Sequence, residues 1–188
     1  MKNLCVLGVL LTDRGKEIKN EMLSWLNNDY DVLCIEQNPP GEMFEYPAIK
    51  AAIKLSIEMN EPVLYIHTKG AAHDYIWERT IRNNQTEIRK FWKREFTVNK
   101  NAYFNYPIDS CLVTTPMLED DGKTIFNAFV IYPEAAKALL PSYHLDKDRF
   151  YYEDLFSKIS AINLIGVVKH RTPEIEIRKY IENGDFNE

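Results

Sequence analysis

Val63-Leu-Tyr-Ile-His-Thr-Lys-Gly70 is the stretch on which the fold turns. Its first four residues form an apolar run directly after Pro62. A short, continuous apolar run of this kind reads as a strand buried on both faces. Two similar runs precede it, at residues 4–11 and, as Asp-Val-Leu-Cys-Ile, at 31–35. Between those two, Asp13 opens a helical pattern in which Ile18, Met22, Trp25 and Leu26 share one face, and Asn27-Asn28 ends it. After the second run, Asn38-Pro-Pro-Gly41 reads as a loop. Pro47, suited to a first helical turn, then opens a stripe of Ile49, Ile53 and Ile57. Residues 1–70 therefore read β-α-β-α-β with short links. That is the pattern of a doubly wound α/β domain with a mostly parallel sheet. Ligands in such sheets bind beyond the carboxyl ends of the strands. Thr12, Asp13, Glu36 and the segment His67-Thr68-Lys69-Gly70 all fall at those ends.

The rest of the chain extends the same domain. Residues 75–96 read as one long helix or two shorter ones, with Ile81, Ile88, Phe91 and Trp92 as the apolar side. Residues 111–114 form a fourth apolar strand, and Glu119-Asp-Asp-Gly-Lys123 signals a hairpin. A strand follows over 124–132, carrying Asn127 among apolar neighbours. A short helix is expected from Pro133 to Leu140, helical structure over 155–159, a last strand over 164–168 and a C-terminal helix over 172–181. No repeat or linker divides the chain, so 1–188 is expected to be a single domain.

Composition narrows the function classes. Of 188 residues, 45% are apolar and 27% charged, which excludes a disordered chain. The net charge of −5 argues against a nucleic-acid coat, because phosphate contacts need a basic surface. Charge is unevenly spread: residues 78–100 hold seven basic and three acidic side chains. That basic helix, with Arg79, Arg82 and Arg94, is either a solvated face with paired charges or a patch for a phosphorylated ligand or an anionic surface. The three cysteines, Cys5, Cys34 and Cys111, form no CxxC pair and read as small apolar residues in a reducing compartment. No apolar run reaches the ~20 residues that span a bilayer. Residues 4–11 read as a buried strand and not as a signal peptide. A cytoplasmic protein is expected, with peripheral membrane contact left open.

Common catalytic motifs are absent: there is no GxxxxGK[ST], GxGxxG, HExxH or GxSxG. Two constellations remain. In the first, Lys69 would neutralise a diphosphate, with backbone N–H groups and the Thr68 hydroxyl as further donors. Gly70 would admit the ligand to the backbone, and His67 would meet a phosphate oxygen or a metal ion. Read structurally, the same segment is an ordinary strand exit. In the second, Glu153-Asp154 follows Tyr151-Tyr152. Such a pair can supply a catalytic base and a positioning group, or complement a helix dipole.

Taken together, the ordered motifs resemble a family of small GT-A-type glycosyltransferases, the bacterial and viral polysaccharide-synthesis proteins with an "HTKG" signature. The matching segments are Val63-Leu-Tyr-Ile-His-Thr-Lys-Gly70, Phe91-Trp-Lys-Arg-Glu-Phe96, Phe126-Asn-Ala-Phe-Val-Ile131, the helix ending in Leu140-Pro141, and Phe150-Tyr-Tyr-Glu-Asp154. They cover about residues 60–158. Phe126 stands where the family has Gly, and Ala128-Phe129 keeps its aromatic pair only in part.

The resemblance implies a three-layer nucleotide-diphospho-sugar transferase fold. Residues 1–70 would form the nucleotide-binding half and 71–188 the acceptor and catalytic half. It implies transfer of a sugar from a nucleoside diphosphate to a saccharide or lipid-linked acceptor in surface polysaccharide synthesis. Thr12, Asp13, Glu36, His67, Thr68, Lys69, Gly70 and Asn127 would bind the nucleotide sugar, and Glu153 or Asp154 would be the base. GT-A enzymes hold Mn²⁺ or Mg²⁺ through an Asp-x-Asp motif. The two matches here, Asp29-Tyr-Asp31 and Asp146-Lys-Asp148, are poorly placed, so the metal ligands are unassigned and Lys69 would take over part of the charge. The rival readings are an inactive nucleotide-sugar-binding relative and an unrelated Rossmann-like enzyme acting on a phosphorylated small molecule.

Overall fold

The first apolar run becomes strand β1 (Asn3–Leu10), which is flanked on both sides. It pairs in parallel with β2 (Tyr30–Gln37) on one side and with β3 (Val63–His67) on the other. The computed structural model describes residues 2–38, 45–68, 79–116, 118, 124, 127–146, 149–152 and 154–167, with side chains except at 79–84, 149 and 150. Three further strands complete the sheet: β4 (Leu112–Thr115), β5 (Phe129–Ile131) and β6 (Asn163–Gly166). The order is β2-β1-β3-β5-β4-β6. β5 runs against its neighbours β3 and β4, and β6 lies parallel to β4. The result is a mixed, mostly parallel sheet, as expected.

Alternation along the strands divides the core into two halves, because successive side chains leave a strand on opposite faces. Cys5, Leu7, Val9, Leu64, Ile66 and Val130 meet helices α1 (Asp13–Asp29) and α3 (Arg79–Thr97) through Ile18, Met22, Trp25, Phe91, Trp92 and Phe96. Val6, Val63, Tyr65, Val113, Phe129 and Ile131 meet α2 (Tyr46–Met59) and α5 (Pro133–Leu139) through Ile49, Ile53, Ala136 and Leu139. Helices on both faces make three layers. A short helix α4 (Asn101–Phe104) adds Tyr103 to the first half.

Local chemistry sets the helix starts. Thr12 caps α1, its Oγ1 accepting from the Gly15 N–H at 2.9 Å. A Cβ at Gly15 would lie 1.8 Å from the Leu10 carbonyl oxygen, so α1 can begin directly beneath the end of β1 only with glycine there. The stripe of α2 buries Ala48, Ile49, Ala52 and Ile53. Ser56 on the same face donates to the carbonyls of Glu61 at 2.8 Å and Ile131 at 3.2 Å. Asn60 then ends the helix in the left-handed conformation.

Several expectations are corrected. β2 is the edge strand and not a buried one; Leu33 is 44% exposed. The strand expected over 124–132 is confined to Phe129–Ile131. Asn127 lies ahead of it at φ 53°, a left-handed backbone that cannot continue a strand and that Asn tolerates well. Residues 155–158 form turns in place of the helix expected over 155–159, and the nearby helical piece is a 3₁₀ turn at Arg149–Tyr152. Leu118 and Thr124 form the antiparallel bridge expected of the 119–123 hairpin, whose turn lies outside the described residues. So does the helix expected over 172–181. Among the described residues, no helix is long and apolar enough to cross a membrane.

Candidate functional site

The chain leaves β1 for β2 on one side and then crosses to β3 on the other. That reversal makes the carboxyl ends of β1 and β3 the switch point, in whose crevice doubly wound sheets take ligands. Gly8 and His67 are paired in register there. A Cβ at Gly8 would lie 3.0 Å from Ala48 Cβ and 3.4 Å from His67 Cβ. Glycine therefore lets the first turn of α2 settle onto the sheet, and that turn delivers Glu45.

Glu45 stands at the N-terminal boundary of α2, just ahead of Tyr46-Pro47, where a helix dipole favours an anion. Its Oε1 lies 3.6 Å from His67 Nε2. Its Oε2 accepts from Asn127 Nδ2 at 2.6 Å, and Asn127 Oδ1 accepts from the Thr124 hydroxyl at 3.1 Å. The orientation of the amide is thus set from both ends. Asn127 is 2% exposed, while the His67 and Glu45 side chains retain 13% and 26%. The Trp92 ring meets the imidazole edge-on, with centroids 5.4 Å apart. Tyr65 lies beneath, fully buried. Burial pushes its phenol well above the ordinary range, and the nearby Glu45 carboxylate adds to the shift. The Tyr65 hydroxyl faces that carboxylate, yet completes no hydrogen bond of ordinary geometry among the described residues.

Of the residues read from sequence, His67 and Asn127 are brought together. The others are placed differently. Thr68 staples β3 to β1: its N–H donates to the Gly8 carbonyl at 2.9 Å and its Oγ1 accepts from the Leu10 N–H at 3.2 Å. Its amide is therefore spent on the sheet and not free to cradle a phosphate. Thr12 spends its hydroxyl on the α1 cap. Asp13 projects into solvent beside Lys16. Glu36, on the edge strand, binds Lys19 at 2.5 Å. Asp154 is committed locally: Oδ1 accepts from the Ser157 hydroxyl at 3.0 Å and Oδ2 lies 3.3 Å from Lys158 Nζ. Lys69, Gly70 and Glu153 lie outside the described residues, as do the side chains of Arg79 and Arg82.

In comparisons with protein-family models, curated proteins and solved structures, nothing matches this chain. The site therefore rests on its own geometry.

The described part of the basic helix is largely neutralised. Arg89 is 2% exposed and binds Glu21 at 3.3 Å. Lys90 pairs with Glu87 at 2.7 Å. Arg94 binds Glu95 and lies over the Phe91 ring. The three thiols are held protonated, mainly by burial, most strongly at Cys5. For a divalent cation, the crevice residues described offer one carboxylate and one imidazole. No group of three His, Cys, Asp or Glu occurs among the described residues. That set does not match the paired carboxylates of a GT-A metal site.

Glu45 is the residue that motif reading missed. The available signal was topological. In a parallel sheet every β-to-α connection lies at the carboxyl ends, so the last residue before α2 belongs to the crevice.

Proposed function

We propose that the chain is a GT-A-type glycosyltransferase that moves a sugar from a nucleoside diphosphate to a saccharide or lipid-linked acceptor. Its proposed setting is cytoplasmic surface-polysaccharide synthesis. The single observation carrying this reading is the switch point between β1 and β3, with its half-buried Thr124–Asn127–Glu45–His67 network. A mostly parallel three-layer sheet with a polar site at its switch point suits a phosphorylated, hydroxyl-rich ligand. The resemblance of residues 60–158 to the "HTKG" proteins selects a nucleotide sugar among such ligands. In this reading Lys69 would approach the diphosphate from the segment that follows His67. Transfer itself needs a carboxylate to accept the proton of the attacking hydroxyl.

The test is a thermal-shift screen against UDP, GDP, dTDP and CMP, with and without Mn²⁺. A ligand bound only by the folded chain raises Tm by mass action. A selective shift with one nucleotide is expected, and a Mn²⁺ requirement would point to carboxylates outside the described residues. Equal indifference to all four would overturn the reading.

A further inference from the structure

We infer that Glu45 is the catalytic base of this site, the carboxylate that takes the proton from the attacking hydroxyl; this rests on the transferase reading. Three observations carry it. Glu45 is fixed from distant parts of the chain, its Oε2 by Asn127, 82 residues away, while Oε1 faces His67. Asn127 is itself held in a left-handed backbone and aligned by Thr124. Such constraint on one side-chain amide is characteristic of a preorganised site. Second, the carboxylate is anchored without being sealed: a quarter of the side chain remains open at the crevice. Third, Asp154, the described member of the alternative Glu153-Asp154 pair, takes Ser157 and Lys158 from its own turn, whereas Asn127 and His67 reach Glu45 from separate elements that meet at the strand ends.

The step balances as follows. The acceptor O–H gives its proton to Glu45 as its oxygen forms the bond to the anomeric carbon. The bond from that carbon to the diphosphate oxygen breaks, and the electron pair leaves with the nucleoside diphosphate. Glu45 then returns the proton to solvent. Water as acceptor yields free sugar and nucleoside diphosphate by the same path. Azide has no proton to lose and attacks the same carbon without a base.

The experiment uses the full chain as wild type, Glu45→Gln and, as a surface control, Glu87→Gln. UDP-glucose, UDP-N-acetylglucosamine and GDP-mannose are supplied in water, with and without sodium azide. Released UDP or GDP is measured, and thermal shifts with UDP and GDP report binding. Glu45→Gln is expected to keep the nucleotide shift and lose roughly 10²-fold or more of the hydrolysis. It should regain nucleotide release with azide, with glycosyl azide as product. The Glu87 control should match wild type. Hydrolysis by Glu45→Gln at the wild-type rate would overturn the role. So would a variant that binds nucleotide but stays inert in azide, or a wild type that binds nucleotide and releases none. The absence of a shift in wild type with UDP, GDP, dTDP and CMP alike would overturn the transferase reading itself.

Discussion

Two carboxylates held by side-chain hydrogen bonds have opposite surroundings. Glu95 on α3 is 2% exposed, and its neighbours in the chain close around it. Arg94 Nε and Asn99 Nδ2 donate to its Oε1 at 3.1 and 3.0 Å, and the Tyr103 hydroxyl donates to Oε2 at 2.7 Å. Those partners lie within eight residues of it. Glu45 draws on residues from β3 and from the turn before β5, and it keeps an open side. The first network joins α3 to α4 from within one stretch of chain and buries its carboxylate at 2% exposure. An open one, held at strand ends, is stable in the fold and still able to accept a hydrogen bond or a proton. Burial of charge alone therefore does not mark a site; residual exposure at the carboxyl ends of the strands does.

The largest expected effect tests the closed network. Glu95→Ala strands the Tyr103 hydroxyl and the Asn99 amide, and should cost about 3 kcal/mol of unfolding free energy in urea. A loss below about 1 kcal/mol would show that this network does not hold α3 to α4. Next comes the hinge of the open network. Asn127→Ala deletes one bond to Glu45 and one from Thr124 and should cost about 1–2 kcal/mol. Glu45→Gln keeps the shape and should cost under about 1 kcal/mol. If Glu45→Gln destabilises as much as Glu95→Ala, the contrast between the two carboxylates fails.

The smallest effect is a pH dependence on the Glu95 side. Burial raises the Tyr132 phenol to about 12, and Tyr103, beside Glu95, is raised further, again chiefly by burial. The folded state thus holds these protons more tightly than the unfolded chain, whose tyrosines titrate near ~10. Their contribution is complete below the unfolded value and is lost as pH rises from about 10 through 12. Stability measured in urea should therefore fall over that range, and Tyr132→Phe should flatten part of the slope. An unchanged slope would mean that Tyr132 ionises equally in both states.

The fold was largely legible because it follows local rules. Apolar runs at 4–11, 31–35 and 63–66 announced parallel strands, and stripes such as Ile18, Met22 and Leu26 announced the helices between them. These patterns repeat within a few residues, so hydrophobicity alone records them. His67 and Asn127 were legible as polar residues in apolar surroundings. Their partner was not, because Glu45 lies 22 residues from one and 82 from the other in the chain. Only the crossover that seats α2 against Gly8 closes those gaps. The ion pair of Glu36 with Lys19 was equally invisible, since it depends on how α1 meets β2, whereas Asp13 and Asp154 pair with lysines three and four residues along the chain. The sequence by itself determined the periodic elements and the end of the sheet that bears polar residues. Which carboxylate is buried and which keeps solvent exposure followed from the packing of distant elements, because burial depends on distances in space and not along the chain.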